Sequence, residues 1–198
     1  MKLNLPNKIT LARMIIVIFI IIIALFPYAS VGWTVPVLFT IGETPYTLTR
    51  VLIFILFIVG SISDFVDGHI ARSRNIVTVF GKFLDPIADK LLVNVLYMIL
   101  AAWGEIPVII PIIFIIRDTI VDAIRLLAID QHVVIAASKL GKAKTVTQMV
   151  AMCLILVYVP YSIWVVYLAG LVSLISGIDY FIKNRHFLLK GADYDGKK

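Results

Sequence analysis

Apolar residues dominate six stretches of this chain, at positions 9–26, 51–63, 83–103, 106–129, 146–159 and 163–182. A helix needs ~20 such residues to cross the hydrocarbon core of a bilayer, and helices satisfy their own backbone hydrogen bonds there. The second stretch is short, but it borrows a turn from 45–50 and continues through the polar segment 64–72 to the membrane surface. Breaks fall at Pro27, 42–45, 104–107 and Pro160, where turn and helix-start residues stand. With 61% hydrophobic residues, 15% charged residues and a mean hydropathy of +1.03, a water-soluble globule is excluded. The expectation is an all-α integral membrane protein, a bundle of six transmembrane helices. Its 198 residues suit a single membrane domain, 1–198, with 191–198 a flexible tail.

Orientation follows from the basic residues. If the N-terminus is cytoplasmic, 16 of the 18 Lys and Arg gather on that side, leaving Arg50 on the other and Arg117 within a span. That asymmetry predicts both termini cytoplasmic and an even number of spans. Tyr28, Trp33, Trp103, Tyr161 and Trp164 then suit the outer interface. The net charge of +6 is accounted for by cytoplasmic loops lying beside anionic headgroups. No basic stripe interleaved with stacking aromatics is present, so no nucleic-acid partner is expected. Cys153 is the sole cysteine, which excludes an intrachain disulfide and a cysteine-based metal site.

Chemistry concentrates between positions 64 and 90. Asp64, Asp67, Gly68, Ala71 and Arg72 stand at offsets of three, four, seven and eight, and so share one helical face. Gly81, Asp85 and Asp89 repeat every four residues and share another, and the segment 73–80 is short enough to fold the two helices into an antiparallel pair. Four carboxylates directed at one place repel, and near a membrane each costs several kcal/mol to desolvate. Divalent metal compensates both, and an all-oxygen ligand set favours Mg2+ or Mn2+. Two such ions offset four aspartates and form the clamp used in phosphoryl chemistry. Gly68, Ala71 and Gly81 suit close helix packing as well as room for a phosphate. Arg72 suits interfacial snorkelling as well as phosphate pairing.

The pattern D-x-x-D-G-x-x-A-R, eight residues, then G-x-x-x-D-x-x-x-D resembles the signature of the CDP-alcohol phosphatidyltransferases, with every fixed position filled. The opening segment 4–13, the segment 117–125 and Gly141, Lys142, Lys144 and Thr145 are similar to the bacterial branch that makes phosphatidylglycerol phosphate from CDP-diacylglycerol and glycerol-3-phosphate. The resemblance implies that Asp64, Asp67 and Asp85 ligate metal, and that Asp89 both ligates metal and accepts the proton of the attacking hydroxyl. It implies two ions, Mg2+ or Mn2+, per active site. Gly68, Ala71, Arg72 and Gly81 would contact the CDP moiety, with Thr10 and Arg13 approaching the nucleotide, whereas Asn7 reads as a helix N-cap.

A dianionic acceptor calls for a basic cytoplasmic pocket, and Arg117, Arg125, Lys142 and Lys144 are the expected glycerol-3-phosphate residues. Arg117 and Arg125 are eight apart and share a face. The competing reading makes these residues a positive-inside loop with pairing of Arg117 to Asp118 or of Arg125 to Asp122. In one departure, Asp118 stands where the branch carries glutamate. The resemblance further implies a bacterial plasma-membrane location with the active site toward the cytoplasm, contact with membrane lipids, and a homodimer. Two alternatives remain: the same chemistry on another alcohol, as in a cardiolipin synthase or with serine or inositol phosphate, and an ion transporter or channel whose aspartates line a path.

Overall fold

A computed structural model describes residues 4–192 apart from 74–78, 132, 134 and 137; for 64, 65, 67–73, 79–83, 85, 86, 130 and 188–192 it describes helical backbone alone. The order is α1 (Leu5–Leu25), a 3-10 turn (Tyr28–Val31), β1 (Val37–Ile41), β2 (Thr44–Thr47), α2 (Leu48–Ser73), α3 (Val79–Ala102), α4 (Ile109–Asp130), α5 (Lys139–Leu156) and α6 (Ser162–Ala192). Six helices therefore correspond to the six apolar stretches. Of the expected tail, Gly191 and Ala192 continue α6, and 193–198 lie outside the described residues.

The helices stop where backbone chemistry requires it. Phe26 closes α1 in an extended conformation ahead of Pro27, which restricts its predecessor to that region. At the other end of α1 the side chain of Asn4 accepts from the Asn7 N–H at 3.1 Å. The N-cap is thus Asn4, not Asn7, which is 5% exposed inside the first turns. Asn4 sits directly before Leu5 and Pro6, and proline is tolerated in a first helical turn because no N–H is needed there.

The departure from an all-helical chain is the antiparallel hairpin β1–β2. Val37, Phe39, Thr40 and Ile41 pair with Thr47, Tyr46, Pro45 and Thr44, and all but Pro45 are residue types that favour extended backbone. Gly42 and Glu43 form the two-residue connection, and Gly42 takes φ +61°, the left-handed value such turns demand. The sequence reading took 42–45 only as a break between spans.

Two compact units are distinguishable: Met1–Trp103 with Leu156–Tyr158, and Gly104–Ile155 with Val159–Lys198. In the first, α1 packs on α2 and α3 through a stripe of Asn7, Thr10, Arg13, Val17, Ile20 and Ala24. Its core includes Ile53, Phe57, Leu92, Leu96, Tyr97 and Leu100. Arg50 is buried, donates from Nε to the Leu156 carbonyl at 3.0 Å, and lies 4.0 Å from the Tyr158 ring centroid. In the second, α4 packs on α6 around Ile110, Phe114, Val121, Ile124, Val166 and Ala169.

Among the described residues, Leu5–Leu25 and Ser162–Phe187 are long and apolar enough to cross a membrane. Only 28% and 33% of their most apolar windows are buried, so Ile15, Ile18, Ile22, Leu171, Leu174 and Ile178 turn apolar surface outward. A mostly helical chain with such helices fits a membrane protein.

Candidate functional site

Two sets of residues emerge, one in each unit. In the first unit, Asp64, Asp67, Gly68, Ala71 and Arg72 lie in α2, and Gly81, Asp85 and Asp89 lie in α3. The side chains of Asp64, Asp67, Gly68, Ala71, Arg72, Gly81 and Asp85 fall outside the described residues; Asp89 is described and part-buried. The helices approach at Gly60, where an added Cβ would come within 2.8 Å of the Leu92 Cδ2.

Counting outward from that contact along two consecutive helices gives the register. Seven residues after Gly60 and seven before Leu92 stand Asp67 and Asp85; eleven residues away stand Ala71 and Gly81. Asp64 follows Gly60 by four and Asp89 precedes Leu92 by three. The offsets of the carboxylate and small-residue positions from that contact are therefore alike on the two helices. A set of four carboxylates fits a hard divalent cation and leaves no role for a soft one.

Thr10 and Arg13 are both fully buried on the packed face of α1, and the Thr10 hydroxyl donates to the Pro6 carbonyl at 3.1 Å. Arg13 is thus a buried guanidinium on the face of α1 that packs on α2 and α3, not a surface side chain.

In the second unit the cations predicted from sequence separate into different environments. Lys144 from α5 and Asp118 from α4 are 7% and 4% exposed, and the Lys144 ammonium donates to both Asp118 oxygens at 2.9 and 3.0 Å. Arg117 donates from Nη1 to Asp118 Oδ1 at 3.0 Å and from Nη2 to Ser176 Oγ on α6 at 2.9 Å. Arg117, Asp118 and Lys144 are thus brought together. Arg125 lies one side of this group, with Nε 3.4 Å from the Tyr180 hydroxyl and its guanidinium carbon 5.8 Å from that ring's centroid. Lys142 is exposed on α5.

Two glycines make room for the Arg117 side chain. A Cβ at Gly177 would stand 2.8 Å from Arg117 Cγ, and one at Gly141 would stand 3.4 Å from Nη2. Gly141 is itself held at the start of α5 by its N–H donating to Ser138 Oγ at 3.0 Å. Beyond Arg117 an apolar groove of about 380 Å³ runs between α4 and α6, lined by Ile113, Ile116, Ile120, Leu174, Ile178 and Phe181.

Sequence reasoning missed Ser176, Gly177 and Tyr180. A signal existed: Ser173, Ser176 and Tyr180 follow each other by three and four residues in α6, a polar stripe on one face. All three are buried, at 0%, 0% and 2%. The pairing of Arg117 with Asp118, set out as the competing reading, is present, and it coexists with the wider cluster.

The sequence pattern of the family described as CDP-alcohol phosphatidyltransferase matches residues 3–175. A Bacillus subtilis (strain 168) protein named CDP-diacylglycerol--glycerol-3-phosphate 3-phosphatidyltransferase is 38% identical over 189 residues, covering 91% of this chain and 95% of its own length. Proteins of the same name from Rickettsia typhi and Mycoplasma genitalium are 33% and 36% identical, covering 90% and 73% of this chain and 95% and 60% of their own lengths.

Proposed function

The chain belongs to the CDP-alcohol phosphatidyltransferase family, and from that premise we propose that it transfers the phosphatidyl group of CDP-diacylglycerol to glycerol-3-phosphate, giving phosphatidylglycerol phosphate and CMP. The observation that carries the choice of acceptor is the buried group of Arg117, Asp118 and Lys144, two cations against one carboxylate. A neutral alcohol has no use for that charge, whereas a phosphomonoester balances it. The relatives named above carry the same activity in their names.

On this reading Asp64, Asp67, Asp85 and Asp89 hold two Mg2+ or Mn2+ ions, which when bound polarise the pyrophosphate and offset the charge of the departing CMP. Asp89 accepts the proton of the acceptor hydroxyl as that oxygen attacks the phosphorus bearing diacylglycerol. Gly68, Ala71 and Gly81 leave space for the CDP moiety, and Arg72, Thr10 and Arg13 bind and orient it. Arg117, Arg125, Lys142 and Lys144 bind the acceptor phosphate. The chain acts as one membrane domain of six spans with cytoplasmic termini and a cytoplasmic active site in a bacterial plasma membrane, the arrangement supported by its Lys and Arg asymmetry. Extensive outward apolar surface on α1 and α6 serves lipid and a second copy in a homodimer.

The test is an acceptor panel with purified, detergent-solubilised protein, CDP-diacylglycerol and Mg2+, reading CMP release. Release that requires glycerol-3-phosphate supports the reading. Release that requires phosphatidylglycerol, serine or inositol phosphate instead keeps the chemistry and replaces the acceptor. No release with any alcohol from folded protein overturns it.

A further inference from the structure

Asp118 has no part in the chemistry described so far, yet its two oxygens receive three donors, Lys144 Nζ twice and Arg117 Nη1 once, at 2.9 to 3.0 Å. The three side chains come from α4 and α5, and Ser176 of α6 completes the group by accepting from Arg117 Nη2. Among these three side chains one carboxylate stands between two cations, with Asp118 and Lys144 buried and Arg117 part-buried. The guanidinium is fixed at one N–H of each terminal nitrogen, and its Nε–H is buried without a partner. Each terminal nitrogen thus keeps one further N–H, two in all, for an incoming anion.

Resting on the glycerol-3-phosphate reading, we infer that Asp118 is a positioning residue: it aims Arg117 and Lys144 at the acceptor phosphate and thereby sets the preference for a phosphorylated over an unphosphorylated alcohol. Two effects of removing it have opposite signs. Loss of a negative charge favours anion binding, while loss of the shared acceptor lets two buried like charges turn apart and destroys their common direction. A phosphate is recognised by several donors converging at fixed geometry, so direction outweighs the added charge.

The experiment measures KM for glycerol-3-phosphate and for CDP-diacylglycerol separately in Asp118→Asn, Asp118→Glu and Ser176→Ala, with glycerol as the unphosphorylated acceptor. Asp118→Asn is expected to raise KM for glycerol-3-phosphate about tenfold, leave KM for CDP-diacylglycerol within about twofold, and lower the preference over glycerol by the same factor. Asp118→Glu recovers most of the loss, and Ser176→Ala raises KM for glycerol-3-phosphate about threefold. A fall in that KM on Asp118→Asn, an equal rise for both substrates, or no recovery with Glu overturns the inference. If the Asn variant does not fold, an unchanged KM in Ser176→Ala overturns it. A wild-type protein indifferent to glycerol-3-phosphate removes the functional reading itself, a result distinguishable from failure of the variants alone.

Discussion

The α2–α3 pair and the cluster built from α4, α5 and α6 make use of charge in opposite ways. The first gathers Asp64, Asp67, Asp85 and Asp89 within 26 residues of chain, at helical offsets that depend on local backbone alone. The second assembles Arg117, Asp118, Lys144 and Ser176 from three helices, through hydrogen bonds spanning 26 and 59 positions. On the proposed reading, like charges in the first call for an external cation, and the paired charges in the second receive the acceptor anion. A site of the first kind announces its chemistry in spacing. A site of the second kind exists only after the helices have packed.

The most damaging change falls on the first region. Asp89→Asn removes the proton acceptor, and turnover should drop about 10³-fold or more, with the protein still monodisperse in detergent. Retained turnover would separate Asp89 from the chemistry. Next come the glycines, which set the two regions against each other directly. Gly177→Ala drives a methyl against Arg117 Cγ in mid side chain, whereas Gly60→Ala meets the mobile end of Leu92. Gly177→Ala should raise KM for glycerol-3-phosphate several-fold, about fivefold, and Gly60→Ala should stay within about twofold on both substrates. Equal effects from the two would mean that Gly177 serves packing alone. Arg125→Ala should do less than Gly177→Ala: its guanidinium rests on Tyr180 outside the Asp118 group, so KM for glycerol-3-phosphate should rise only about threefold. A larger rise would move the centre of the acceptor site toward Arg125.

Much of the helical frame was legible because apolar periodicity and breakers act locally. The extended second stretch, reaching 72, corresponds to Leu48–Ser73, and 83–103 corresponds to Val79–Ala102. The start of α5 at Lys139 was less legible, since Lys139, Lys142 and Lys144 dilute the apolar signal there while Ser138 supports the first turn by hydrogen bonding. The β1–β2 hairpin was missed because its second strand, Thr44–Thr47, is short and polar and merges with the break at 42–45. Only pairing of Ile41 with Thr44 across Gly42 distinguishes it. Among the acceptor candidates, sequence named the cations but could not rank them: it placed Lys142 and Lys144 together, and folding buries one and exposes the other. Ser176 lies on a legible polar stripe, but its partner is fixed only when Arg117 reaches it.

The measurement closest to the central claim is transfer of labelled glycerol-3-phosphate into a lipid-soluble product by the purified protein with CDP-diacylglycerol, in Mg2+, in EDTA, and in EDTA followed by excess Mg2+. The account predicts incorporation matched by CMP release, lost in EDTA and restored by Mg2+. Incorporation that persists undiminished in EDTA, or its absence from folded protein supplied with metal and both substrates, would contradict it.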